Sequence, residues 1–82
     1  MKIIIIDDNE EFRKNIEHLV ETKFNYSLLA SFSSGDEYMQ CHGIYSPDII
    51  LMDISMPGSD GYVITKKLMW QNPNLKIIAI KT

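Results

Sequence analysis

The stretch that decides the fold comes near the start of the chain and reads Ile3-Ile4-Ile5-Ile6-Asp7-Asp8. Four consecutive β-branched residues with no polar residue between them are typical of a strand that is covered on both faces, as in a parallel sheet. The pattern recurs in Asp48-Ile49-Ile50-Leu51-Met52-Asp53, where a second apolar run also stops at a carboxylate. The sequence therefore predicts two buried strands that each end in an acidic residue.

Beyond the first strand the sequence changes to a helical period. From Glu10 onward, apolar residues recur at positions i, i+4, i+7 and i+8, which predicts a helix with one apolar stripe. Asp8 or Asn9 would cap the N-terminus of this helix. The stripe consists of Phe12, Ile16, Leu19 and Val20.

Weaker signals extend the alternation of strands and helices. Ser34 and Glu37 match the pattern in which a serine caps a helix and a glutamate follows three residues later. Strand-helix alternation predicts an α/β fold with right-handed crossovers in a parallel sheet. The predicted strands are 3–6, 28–32, 49–52 and 75–80, and the predicted helices begin at residue 10 and cover 36–43 and 61–71. The second helix is expected to place Tyr38, Met39 and Cys41 in or near the core.

The third predicted helix is apolar on nearly all sides. A helix of this kind is normally buried all round its axis, which predicts further cover for it. The alternative is that a few of its apolar side chains are exposed, which is common in proteins. Its apolar residues are Tyr62, Val63, Ile64, Leu68, Met69 and Trp70.

Composition limits the class of protein. The chain has 82 residues, 45% hydrophobic and 23% charged, which is typical of a single globular domain over 1–82. Its net charge of −3 argues against nucleic-acid binding by this chain alone. The run Ile3–Ile6 is far shorter than the roughly 20 residues of a membrane span, so no membrane anchor is expected. A single cysteine, Cys41, allows no internal disulfide and favours the reducing cytoplasm.

The acidic residues at the strand ends are the candidate site. Ligands of open parallel sheets bind outside the carboxyl ends of the strands, so Asp7, Asp8 and Asp53 would converge if their strands are neighbours. Such a cluster suits Mg²⁺, and Mg²⁺ beside a carboxylate is a setting for phosphoryl transfer in which aspartate can be the nucleophile. Taken singly, the Asp-Asp pair could serve only in a turn and helix cap, and Asp53 could be structural.

Three motifs together resemble one known family. They are Ile3–Ile6 followed by Asp7-Asp8, the strand 48–53, and the loop Met56-Pro57-Gly58-Ser59-Asp60-Gly61. In this combination the chain resembles the receiver domain of bacterial two-component response regulators, and most of all the receivers that precede helix-turn-helix output domains. The resemblance implies a flavodoxin-like (CheY-like) parallel sheet with helices on both faces, four strands in the order 2-1-3-4 and three helices.

The resemblance also implies roles for individual residues. Asp53 matches the phosphoacceptor, which takes phosphate from a histidine kinase, a phosphotransfer protein or a small acyl phosphate. Asp8 matches the residue that binds Mg²⁺ directly, with Asp7 beside it contacting the metal or holding it through water. Ser55 matches the position whose backbone carbonyl binds the metal. The loop that shapes the pocket would contain Met56, Pro57, Asp60 and Gly61.

The chain departs from the family pattern at its C-terminal end. The switch position, a threonine or serine in the family, falls on Lys81 in an ungapped count, and a one-residue slip would place Thr82 there instead. The fifth strand of the family and the lysine that pairs with the phosphate have no counterpart in this sequence. We therefore expect a truncated receiver domain whose phosphorylation is impaired. Its fourth strand, 75–80, would then be a bare edge through which the protein self-associates.

Three classes of function compete. The leading one is a phosphorylated switching module, which turns over no external metabolite and is therefore not an enzyme in the usual sense. A phosphatase with an aspartate nucleophile would need a second aspartate two residues later, where Ser55 stands. A pseudo-receiver that acts only as an interaction surface is the third class; the intact acidic residues argue against it, and Lys81 argues mildly for it.

Overall fold

Four parallel strands and three helices make up the computed structural model, which describes residues 1–23, 26–41, 43–53 and 61–80. The elements alternate along the chain as the sequence predicts. Their bounds are β1 Lys2–Ile6, α1 Glu10–Thr22, β2 Ser27–Phe32, α2 Gly35–Cys41, β3 Ile49–Asp53, α3 Gly61–Gln71 and β4 Lys76–Ile80. The predicted strands agree to within a residue at either end, and the largest difference is that α2 ends at Cys41 rather than at residue 43.

The strands lie in the order β2-β1-β3-β4 and every pair is parallel, which confirms the predicted fold class. The isoleucine strand β1 occupies an interior position between β2 and β3. Its side chains alternate between two cores because successive residues of a strand point to opposite faces. Ile4 and Ile6 join the core under α2 and α3, whereas Ile3 and Ile5 join the core under α1.

The pairing of β1 with β3 is fixed at its N-terminal end by Asp48. The backbone N–H of Lys2 donates to Asp48 Oδ2 at 2.8 Å, and the N–H of Asp48 donates to the Lys2 carbonyl, also at 2.8 Å. From there the register runs through to Ile6 opposite Met52. Asp48 therefore sets the alignment that brings the residues after Ile6 and Met52 side by side.

The helix α1 begins as expected but its apolar stripe is only partly buried. Asn9, one of the two predicted caps, accepts a hydrogen bond from the N–H of Phe12 at 2.9 Å. Val20 is buried, whereas Leu19 is 40% exposed. Among the described elements α1 is the one that packs on this face of the sheet, which leaves an apolar groove of about 310 Å³ beside it. The groove is lined by Ile3, Ile16, Leu19, Val20, Tyr26, Ile49, Leu51 and Ile78.

The helix α2 begins at a serine cap. The N–H of Glu37 donates to Ser34 Oγ at 3.1 Å, and the Glu37 carboxylate accepts from the N–H of Ser33 at 3.4 Å. Tyr38 is fully buried and packs edge-on against Phe32, with 5.3 Å between ring centroids. Burial raises the pKa of Tyr38 to about 12, so its phenol stays neutral at physiological pH. Met39 and Cys41 are partly buried against the same core, as predicted.

The prediction that α3 is buried on all sides is wrong. Ile64 and Leu68 are buried in the core, but Val63 and Met69 are about half exposed and Trp70 is 88% exposed. One face of the helix packs against the sheet and α2, and the described elements place nothing over the other face. The alternative, a helix with several exposed apolar side chains, is the correct interpretation.

Candidate functional site

Three carboxylates meet at the carboxyl edge of the sheet. Asp7 follows β1 and Asp53 ends β3, and because Ile6 lies opposite Met52, the two aspartates are neighbours across the strand pair. Both are fully buried, whereas Asp8 is exposed. One carboxylate oxygen from each residue lies within 4.8 Å of the other two. The predicted convergence of Asp7, Asp8 and Asp53 is therefore confirmed.

The turn after β1 orients the Asp7 carboxylate. The N–H of Asp7 continues the sheet by donating to the Phe32 carbonyl at 3.0 Å, and Asp7 Oδ1 accepts a hydrogen bond from the N–H of Asn9 at 2.8 Å. Asp7 Oδ2 is buried and accepts no hydrogen bond from a donor among the described residues. A buried carboxylate oxygen without a donor is costly, and a cation at this point would satisfy it.

Electrostatics at the cluster favour the uptake of positive charge. Burial raises the pKa of Asp7 above its ordinary value, and the charges of Asp53 and Asp8 raise it further, while the Asn9 N–H bond acts in the opposite direction. A proton or a cation relieves this repulsion. Oxygen ligands from few carboxylates, one of them open to solvent, suit Mg²⁺, which keeps several of its waters when bound. The residues present therefore fit a magnesium ion.

Arg13 is a contact of the cluster that the sequence did not single out. Its Nη1 donates to the Asp7 carbonyl oxygen at 2.8 Å, reaching back from α1 to the turn. The separation of six residues crosses a turn of irregular backbone, so periodicity alone gives no signal for it. The one available hint is a basic residue placed early on the helix that follows the acidic pair.

Several predicted site residues lie outside the described residues. They are the metal-binding candidate Ser55, the loop residues Met56, Pro57 and Asp60, and the two switch candidates Lys81 and Thr82. Gly61 is the first residue of α3.

A parallel α/β sheet in the order 2-1-3-4, with an acidic cluster at the carboxyl ends of its two inner strands, is the architecture of a receiver-type domain. The family model described as "Response regulator receiver domain" matches residues 3–82. The chain belongs to this family, which confirms the resemblance seen in the sequence.

Individual relatives agree with this assignment. The chain is 30% identical over 80 residues to the transcriptional regulatory protein DegU of Brevibacillus brevis, covering 98% of this chain and 34% of DegU. It is 32% identical over 80 residues to a nitrate/nitrite response regulator protein homolog of Haemophilus influenzae, covering 98% of this chain and 38% of that protein. The chain thus spans little more than a third of the length of these relatives.

Solved structures show the same fold. RcsB from Salmonella enterica serovar Typhimurium, bound to the promoter rprA, superposes with a TM-score of 0.89 at 24% identity, covering 99% of this chain and 42% of RcsB. The isolated receiver domain of RcsB gives a TM-score of 0.88, covering 99% of this chain and 61% of that chain. In the part of the chain that the structure describes, no helix has the length and apolar character to cross a membrane.

Proposed function

We propose that this chain is the phosphoacceptor module of a two-component signalling system, in which Asp53 takes up a phosphoryl group with the help of Mg²⁺. The observation that carries the proposal is the buried Asp53 carboxylate at the end of β3, within 4.8 Å of Asp7 and Asp8 oxygens. A nucleophilic carboxylate beside a cation site is the arrangement that aspartyl phosphate formation requires.

The proposed reaction transfers a phosphoryl group from a phosphorylated donor to Asp53. A carboxylate oxygen of Asp53 attacks the phosphorus of a phosphohistidine on a histidine kinase or phosphotransfer protein, or of a small acyl phosphate. The new P–O bond forms as the bond to the donor breaks, and the leaving group keeps the electron pair. Asp7 and Asp8 would hold Mg²⁺, which when bound offsets the charge on the phosphoryl oxygens. The chain would turn over no external metabolite, so it is proposed as a switch and not as an enzyme.

The output of the switch lies with partners. The curated relatives include transcriptional regulators, and RcsB is bound to a promoter in its structure, which supports a DNA-binding output domain in a longer parent protein. The chain itself has a net charge of −3 and therefore lacks the excess of basic residues that contact with DNA requires. The single cysteine, Cys41, supports a cytoplasmic location.

Incubation with Mg²⁺ and acetyl phosphate, followed by intact mass analysis, tests the proposal. The wild-type chain should gain the mass of one phosphoryl group, and the Asp53→Ala variant should gain none because the acceptor oxygen is gone. Glu21→Ala is the matched control, since it removes an exposed carboxylate of α1 that is not one of the three clustered aspartates, and it should still be phosphorylated. If the wild type forms no adduct, or Asp53→Ala forms one, the proposal is refuted.

We also propose that the chain self-associates through its edge strand, residues 75–80. Among the described strands β4 pairs only with β3, and its central Ile78 is 48% exposed at the side of the apolar groove. An unpaired apolar edge of this kind favours pairing with a second chain. The expected result is a dimer or larger species of the wild-type chain in light scattering at high protein concentration.

Two variants localise the association. Ile78→Lys places a charge on the edge and should shift the protein to monomer. Val63→Lys on α3 is the matched control, because Val63 is 45% exposed and lies on another surface. A monomeric wild type, or loss of association in the Val63 variant alone, would contradict this proposal.

A further inference from the structure

The guanidinium of Arg13 holds the backbone of the acidic turn. Arg13 is half-buried on α1, and its Nη1 donates to the carbonyl oxygen of Asp7 at 2.8 Å. This carbonyl belongs to the peptide that joins Asp7 to Asp8. Because the peptide unit is planar, fixing its oxygen also fixes the direction in which the chain continues to Asp8.

The other hydrogen bonds of the turn orient the Asp7 side chain and the first turn of α1. The N–H of Asn9 holds the Asp7 carboxylate, and Asn9 Oδ1 and its carbonyl accept from the N–H groups of Phe12 and Arg13 at 2.9 Å each. These bonds place the Asp7 side chain and the start of α1. The exposed Asp8 carboxylate makes no hydrogen bond within the described residues, so its reach toward Asp53 depends on the backbone that carries it.

We propose that Arg13 is a positioning residue for the cation site: it holds the Asp7–Asp8 peptide in the orientation that brings the Asp8 carboxylate to the cluster. The inference rests on the proposed function, because it concerns affinity for Mg²⁺. A planar guanidinium fits this task since it stays charged at any working pH and donates in a fixed geometry. Partners that orient metal ligands in this way commonly change metal affinity by tenfold or more when they are removed.

The sign of the effect separates positioning from charge. Removing a positive charge near a cation site would by itself strengthen Mg²⁺ binding. Loss of orientation would weaken it. Arg13→Met should therefore raise the Kd for Mg²⁺ about tenfold, as followed through the amide resonances of Asp8 and Asp53 in an NMR titration with MgCl₂.

Lys14→Met is the matched control. Lys14 is the next residue of α1, carries the same charge, and pairs with Glu10 at 3.1 Å on the exposed face of the helix. Its replacement should leave the Kd within about twofold of the wild type, since its ion pair is with Glu10 on the exposed face of α1. The same spectra report whether each variant is folded; should Arg13→Met fail to fold, Arg13→Lys serves the test with the same expectation of weaker binding.

A second measurement asks whether Arg13 acts through Asp8. In an Asp8→Asn background, Arg13→Met should change the Kd less than twofold, because the carboxylate that the peptide orients is already gone. A tenfold loss in that background, or equal affinities of the Arg13 and Lys14 variants, overturns the inference while Mg²⁺ binding by the wild type stands. Absence of Mg²⁺ binding by the wild type overturns the proposed metal site and this inference together.

Discussion

Replacing Asp7 with asparagine should raise the free energy of unfolding by about 1–3 kcal/mol at pH 7 in Mg²⁺-free buffer, although it removes a proposed metal ligand. The reason is that Asp7 is fully buried, that its Oδ2 has no donor among the described residues, and that Asp53 and Asp8 add like charge. Asparagine keeps the oxygen that accepts from Asn9 and removes the charge. Urea unfolding of the two proteins measures the difference.

The stability gain should depend on pH with a defined sign. Because the pKa of Asp7 is raised in the folded protein, the folded state binds this proton more tightly than the unfolded state does. The wild type therefore loses stability as pH rises from the ordinary aspartate pKa through the raised value. The advantage of Asp7→Asn should be small below that window, grow across it and then level off.

Mg²⁺ should offset the stability advantage of the asparagine variant. A ligand that binds only the folded state adds stability, by about 2.7 kcal/mol at a hundredfold excess over its Kd. The wild type should gain this stability in MgCl₂, and the asparagine variant should gain much less. Asp8→Asn is the control: it removes the same charge from an exposed position and should stabilise by less than about 1 kcal/mol without metal. An Asp7→Asn protein that is less stable than the wild type, or no more stable than Asp8→Asn, would contradict the account of buried charge.

Gly35→Ala should destabilise the protein by about 1–3 kcal/mol, although alanine is the better helix former. A Cβ at Gly35 would lie 2.6 Å from Ile64 Cδ1, with Ile64 Cγ1 at 3.1 Å and Cγ2 at 3.3 Å. Ile64 is buried between α2 and the sheet, so it has little room to move away. The cost of overpacking is therefore expected to exceed the gain in helix propensity, which is about 1 kcal/mol or less.

A double-mutant cycle identifies the contact responsible. Ile64→Val removes the closest atom and alone should cost about 0.5–1.5 kcal/mol. Combined with Gly35→Ala it should cost less than the two single changes added together. Gly43→Ala is the control, since an added Cβ there meets nothing within 4 Å and should change stability by less than about 0.5 kcal/mol. Equal stability of the Gly35 and Gly43 variants would contradict this prediction, because it would show that the Ile64 side chain moves away from the added Cβ at no cost.

The parts of the fold that were predicted correctly depend on local patterns. The unbroken isoleucines of β1 indicated burial on both faces, and Ile4 and Ile5 do enter different cores. The meeting of Asp7 with Asp53 followed from the rule that ligand sites form at the carboxyl ends of parallel strands. These inferences needed only the position of each residue within its own element.

The features that the sequence did not predict depend on tertiary contacts between elements. The exposure of Leu19 and Trp70 depends on which other elements pack on α1 and α3. The periodicity of apolar residues predicts an apolar face but does not show which element covers that face. The contact of Arg13 with the Asp7 carbonyl depends on a side-chain rotamer and on the path of a short turn. Neither is encoded in the spacing of hydrophobic residues.

The strand order has a consequence for how the chain is made. β2 and β3 each pair with β1, and β4 pairs with β3, so every later strand adds to one that was synthesised before it. Chains emerge N-terminus first and begin to fold during synthesis. The sheet can therefore grow outward strand by strand as translation proceeds, and each described strand after β1 finds a neighbour that the ribosome has already delivered.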